Sequence, residues 1–70
     1  MSMNYAYNYA FVDPVTNMCT DFISTSAPIT DEPNAVEVPV NDPEYICKYY
    51  INGAWYEDAA GTIPWTSSLL

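Results

Sequence analysis

The chain has no histidine, one basic residue (Lys48), and only two glycines and two cysteines in 70 residues. Each scarcity removes a class of function. Without histidine, Cys19 and Cys47 lack the usual partner that generates a thiolate, and the commonest general base is missing. With no Cys-x-x-Cys either, no structural zinc site is expected. One base against nine acids leaves nothing to neutralise phosphates, so nucleic acid is not an expected partner. The resulting net charge of −8 also disfavours anionic membrane surfaces. No run approaches the ~20 apolar residues of a membrane span. The first residues, Met1-Ser2-Met3-Asn4-Tyr5, lack a basic n-region, so no signal peptide is expected. Synthesis in a cytoplasm follows, where the two thiols stay reduced unless the protein is later released.

What the chain does have is apolar and aromatic. Half of it is hydrophobic and seven residues are tyrosine, too rich a mixture for disorder despite the charge. Its length allows one domain, and a single core in this range rarely supplies more than about 3–5 kcal/mol. Two thiols make at most one bridge, so a partner is the expected external support. Oligomerisation or docking is therefore a physical expectation, with the acidic surface suited to a basic patch.

The residues from Tyr5 to Val12 alternate strictly, with Tyr5, Tyr7, Tyr9 and Phe11 on one face and Ala6, Asn8 and Ala10 on the other. Period two with aromatics predicts a strand, and its aromatic side is expected to face the core, the other reading being a sticky face for a neighbour. Asp13-Pro14-Val15-Thr16-Asn17 is turn chemistry, because Pro presets φ and Asn tolerates a left-handed backbone. A second strand over 18–25 completes a hairpin spanning 5–25. Simple alternation puts Met18, Thr20 and Phe22 on one of its faces and Cys19, Asp21 and Ile23 on the other. Cys19 reads as a small buried hydrophobe.

Ser26 to Pro33 is a polar, Pro-punctuated loop. Val36, Val38 and Val40 then restore period two, and Pro39 confines that strand to an edge. Asn41-Asp42-Pro43-Glu44 predicts a capped helical turn with room for little more than one turn. Asn52-Gly53 between two β-rich runs predicts a two-residue type I′ hairpin over 48–57. Its register pairs Ile51 with Ala54, Tyr50 with Trp55, Tyr49 with Tyr56 and Lys48 with Glu57, each pair contributing roughly 0.2–1 kcal/mol. After Asp58 the pattern lapses. Ile63, Trp65, Leu69 and Leu70 lie on an extended tail that either folds back onto the body or inserts into a partner.

The fold expected is thus all-β: an antiparallel module of two hairpins over 1–58, a short helical turn, and an extended C-terminal tail over 59–70. Catalysis is not expected. The acid pairs Asp31-Glu32, Asp42/Glu44 and Glu57-Asp58 fall in loops or strand ends, where solvated charge is the plain reading. The acids from Asp31 to Glu44 lack the dense spacing of a calcium loop, so no metal and no cofactor is expected. Clustered tyrosine and tryptophan serve both protein interfaces and sugar platforms, and composition does not separate the two.

The opening Asn4-Tyr5-Ala6-Tyr7, the Asp13 turn, the Cys/Phe strand, the valine segment, Asp42-Pro43-Glu44-Tyr45 and the closing Lys48-Tyr49-Tyr50-Ile51-Asn52-Gly53-Ala54-Trp55 together resemble short tail- or fibre-associated proteins of bacteriophages. The resemblance spans residues 4–57, and the stretch after Asp58 has no counterpart in it. It implies a virion structural protein: a multi-copy or homo-oligomeric component of a tail, fibre, baseplate or capsid that contacts other virion proteins. The contact residues expected are Trp65, Leu69 and Leu70 in the tail, with Tyr49, Tyr50, Trp55 and Tyr56 on the hairpin. The alternative rests on Tyr50-Ile51-Asn52-Gly53-Ala54-Trp55-Tyr56 and Pro64-Trp65, which are similar to small chitin- or cellulose-binding modules. A coplanar, solvent-facing strip of rings would favour that reading, and buried rings would favour scaffolding. Two stability expectations accompany the scheme. Trp55→Ala removes a core aromatic at a cost of ~3–5 kcal/mol and should unfold the module, and truncation after Asp58 should spare the fold but weaken assembly.

Overall fold

The alternating segment is a strand, β1 (Tyr7–Val12), in a computed structural model that describes residues 7–70. Tyr5 and Ala6, with which the expected strand begins, lie outside the described residues. Strand β1 is central in a three-stranded antiparallel sheet, between β2 (Cys19–Thr25) and β3 (Ala35–Val38). The β1–β2 turn works as its chemistry dictates. The Asp13 carboxylate accepts from the Val15 N–H at 2.8 Å, the Asn17 N–H donates to the Asp13 carbonyl, and Asn17 takes φ 65°. The valine segment is an edge strand, and it stops at Pro39, which has no N–H to extend the ladder.

The 3₁₀ turn Pro43–Tyr45 follows, with Asp42 as its cap accepting from the Glu44 N–H at 3.0 Å. Next come β4 (Tyr49–Ile51) and β5 (Ala54–Tyr56), joined by Asn52 at φ 52° and Gly53 at φ 82°. Two successive positive φ values are the type I′ requirement. The register is the expected one: Ile51 opposite Ala54, Tyr50 opposite Trp55, Tyr49 opposite Tyr56. The Lys48 ammonium lies 3.8 Å from the Glu57 carboxylate.

The two sheets meet edge to edge. Met18 bridges Tyr49, the Tyr50 N–H donates to the Asn17 carbonyl, and the Cys19 N–H donates to the Lys48 carbonyl, each bond at 2.8 Å. The residues that open β2 therefore serve β1 on one side and β4 on the other. On the far side, β5 is covered by the tail: Pro64 bridges Tyr56, the Glu57 N–H donates to the Ile63 carbonyl, and the Trp65 N–H to the Trp55 carbonyl. The result is a thin slab of 43 × 28 × 16 Å.

Two expectations about faces are corrected. The aromatic side of β1 does not carry the main core; Ala10 does, fully buried with Cys19, Val38 and Tyr45, while Tyr7 and Phe11 are only half-buried. A small residue at the middle of the central strand leaves depth for a ring from elsewhere, here Tyr45. Tyr9 is buried on the opposite face, where its hydroxyl accepts from the Ile29 N–H at 3.0 Å as the 26–34 loop crosses it. The second correction concerns β2. Phe11 pairs with Asp21 but Val12 pairs with Cys19, so Thr20 is an extra, unpaired residue. That bulge reverses the alternation, turning Cys19 onto the core side occupied by Ala10 and Phe22.

Candidate interaction site

Tyr45 organises the aromatic residues. The 3₁₀ turn delivers its ring beneath the sheet, 3% exposed, and three other rings close on it. Phe22 is stacked at 5.9 Å, Trp55 meets it edge-on at 4.9 Å and 70°, and Trp65 edge-on at 4.8 Å and 83°. Such edge-to-face pairs contribute about 0.5–1.5 kcal/mol each beyond their burial. Tyr50 leans on Trp55 at 4.8 Å and 48°. Lys48 reaches over Trp65 with its ammonium 5.2 Å from the ring centre, and the same ammonium pairs with the Glu57 carboxylate.

The tail is drawn into this cluster. Besides its pairing with β5, it is anchored by Ser67, 4% exposed, whose hydroxyl donates to the second oxygen of the buried Asp42 carboxylate at 2.5 Å. One carboxylate thus caps the 3₁₀ turn and pins the tail. The Asp58 loop sets the tail's course. Asp58 accepts from the Thr62 and Ile63 N–H groups, each at 2.9 Å, and from the Thr62 hydroxyl. Gly61 closes the loop at φ 69°, where an added Cβ would stand 3.2 Å from Ile51 Cδ1.

The predicted contact residues therefore divide. Trp55 and Trp65 gather around Tyr45, with Tyr50 leaning on Trp55, all three half-buried. Tyr49 and Tyr56 pair across the hairpin on its other face, also half-buried. Leu69 and Leu70 stand clear, 60% and 65% exposed, on a turn closed by the Leu69 N–H to the Ser67 hydroxyl and the Leu70 N–H to the Ser67 carbonyl. Sequence reasoning missed Tyr45 as the centre and missed the Asp42–Ser67 clasp. The cap pattern at Asp42 was visible, but nothing local links it to a serine 25 positions on.

Electrostatics follow burial and hydrogen bonding. Burial pushes the Cys19 thiol up and outweighs the Asp21 carbonyl that its Sγ–H meets at 3.2 Å. The Tyr45 phenol is also pushed up, first by burial and then by the Asp42 charge. Asp58 is pulled below the usual carboxylate value, chiefly by the Thr62 hydroxyl and then by the Ile63 N–H. Among the described residues, no three histidine, cysteine, aspartate or glutamate side chains gather as a metal site needs. The rings of Tyr50, Trp55 and Trp65 meet at steep angles or through Tyr45, so they do not form a coplanar strip. No family model, curated protein or solved structure matches this chain.

Proposed function

We propose that the protein is a non-catalytic assembly component of a bacteriophage particle, made in the host cytoplasm and present there in several copies, docked on other virion proteins. The observation that carries the assembly role is the end of the tail. Trp65 and Ser67 are held by the body, while the next turn presents Leu69 and Leu70 to solvent on that fixed base. Apolar side chains displayed this way suit a groove on a neighbouring subunit. The half-covered rings of Tyr49 and Tyr56 widen the surface available for contact. The virion setting rests on the resemblance across residues 4–57. Sugar binding has less support, because the rings are spent on one another at steep angles.

Light scattering of the purified chain across a concentration series, with immunodetection in density-purified particles, tests this reading. A discrete closed oligomer or particle-bound chain is expected. Leu69→Asp/Leu70→Asp should abolish either one while leaving the circular dichroism unchanged. A monomer at every concentration that is also missing from the particles would overturn the proposal.

A further inference from the structure

The chain's two cysteines, far apart in sequence, are brought side by side where the two sheets join. Residues 45–48 form a tight turn. Ile46 sits at φ −60°, ψ 132°, Cys47 at φ 76°, and the Lys48 N–H donates to the Tyr45 carbonyl at 2.9 Å. Those angles are those of a type II turn with cysteine where glycine is usual. The chain leaves that turn directly into pairing with Cys19. The Cys47 N–H donates to the Cys19 carbonyl, and the Cys19 N–H donates to the Lys48 carbonyl, both at 2.8 Å. Cys47 and Lys48 together oppose Cys19, a bulge whose first residue takes the left-handed backbone. A direct N–H···O bond between two residues places their Cα atoms roughly 5–6 Å apart, within the span a disulfide needs.

We propose that Cys19 and Cys47 are a thiol pair that closes to a disulfide when the protein leaves a reducing compartment, stapling the first sheet to the second hairpin. Both are free thiols in this structure, Cys47 exposed and Cys19 buried. The oxidant is a small-molecule disulfide such as oxidised glutathione. The exposed Cys47, as thiolate, attacks one sulfur of that disulfide and expels one glutathione thiolate. Cys19 then gives up its proton, turns its sulfur from the Asp21 carbonyl, and attacks the Cys47 sulfur, expelling the second. Two cysteine thiols are oxidised, one glutathione disulfide is reduced, and the two protons end on the two departing glutathiones. The bond closes a long loop containing β2, β3 and the 3₁₀ turn, so it acts mainly on the unfolded chain. It does not depend on the virion reading.

The test is to incubate the folded full-length chain with oxidised glutathione, then combine intact mass spectrometry, alkylation and thermal unfolding. The expected product is a monomer that has lost two hydrogens, resists iodoacetamide, and melts roughly 10 °C above the reduced form. Reductant should reverse all three changes. Cys47→Ala, which changes only an exposed side chain, should fold and show neither the mass loss nor the shift. Three results overturn the proposal: a stable glutathione adduct on Cys47 with Cys19 still free, a disulfide between two copies, or both thiols alkylated after oxidation.

Discussion

Cys47 is the residue whose backbone and side chain most disagree. An L-residue in the left-handed region costs about 1–2 kcal/mol, and only glycine and asparagine visit it freely. Asn17 and Asn52, the other non-glycine residues at positive φ among the described residues, follow that preference; Cys47 does not. In reducing buffer, Cys47→Gly should therefore raise stability by about 0.5–1 kcal/mol, the relief less the added entropy of an unfolded glycine. Urea denaturation checks this, and a loss of stability would mean that the Cys47 side chain supports the fold. Asp58 gives a residue-level pH dependence. Its folded pKa lies below its ordinary value of 3.8, so its charged form is favoured by folding. The contribution is complete well above that value and declines as pH falls through it toward the lowered folded value. In denaturation curves between neutral and acidic pH, Asp58→Asn should be flatter than the parent at the acid end. Parallel curves would show that the loop does not depend on that charge.

At the level of elements, the hairpin and the tail change places in importance. The hairpin needs only its own turn to fix its register, but its ring Trp55 lies on the flank of the core. The buried ring of that cluster is Tyr45, on a 3₁₀ turn of three residues that only its neighbours hold in place. Tyr45→Ala should cost ~3–5 kcal/mol, the range for a core aromatic. Trp55→Ala should cost less, about 2–3 kcal/mol for partial burial, below the sequence-based expectation. Equilibrium unfolding of both variants ranks them, and the opposite order would remove Tyr45 from the centre. The tail is no separate appendage. It extends the β5 edge, sets Trp65 against Tyr45 and satisfies the buried Asp42 carboxylate. Truncation after Asp58 should unfold the chain, contrary to the expectation from pattern alone. Ser67→Ala should cost about 1–3 kcal/mol by leaving a buried carboxylate oxygen unpaired. A cooperative near-ultraviolet melt in the truncated chain would show that the tail is dispensable.

Over the whole molecule, charge sets the terms of association. Nine acids share the chain with one lysine, and that lysine is already engaged by Glu57 and Trp65. Copies of this chain repel one another at long range, so the apolar contact proposed through Leu69 and Leu70 would have to overcome that repulsion. Raising salt from ~0.05 to ~0.5 M shortens the screening length several-fold and, if the chain self-assembles as proposed, should favour the oligomer. Light scattering at both salt levels measures this. Dissociation on adding salt would mean that charge attraction drives association, as in docking on a basic partner.

The elements legible in the sequence are those whose chemistry is local. Asn52-Gly53 selects a turn and with it a register. Asp13 and Asn17 shape the first turn, Asp42 before Pro43 caps the helical turn, and Pro39 ends an edge strand, because each acts within a few residues through φ, a side-chain oxygen or a missing N–H. The tertiary structure alone decided the rest. One surplus residue, Thr20, turned Cys19 to the core, and Ala10 took the centre because a ring from a distant turn had to fit beneath the sheet. The tail settled on β5 because Trp65 and Ser67 found partners many residues away. Alternation shows that a strand has two faces. Which face is buried depends on what packs against it, and period two carries no record of that.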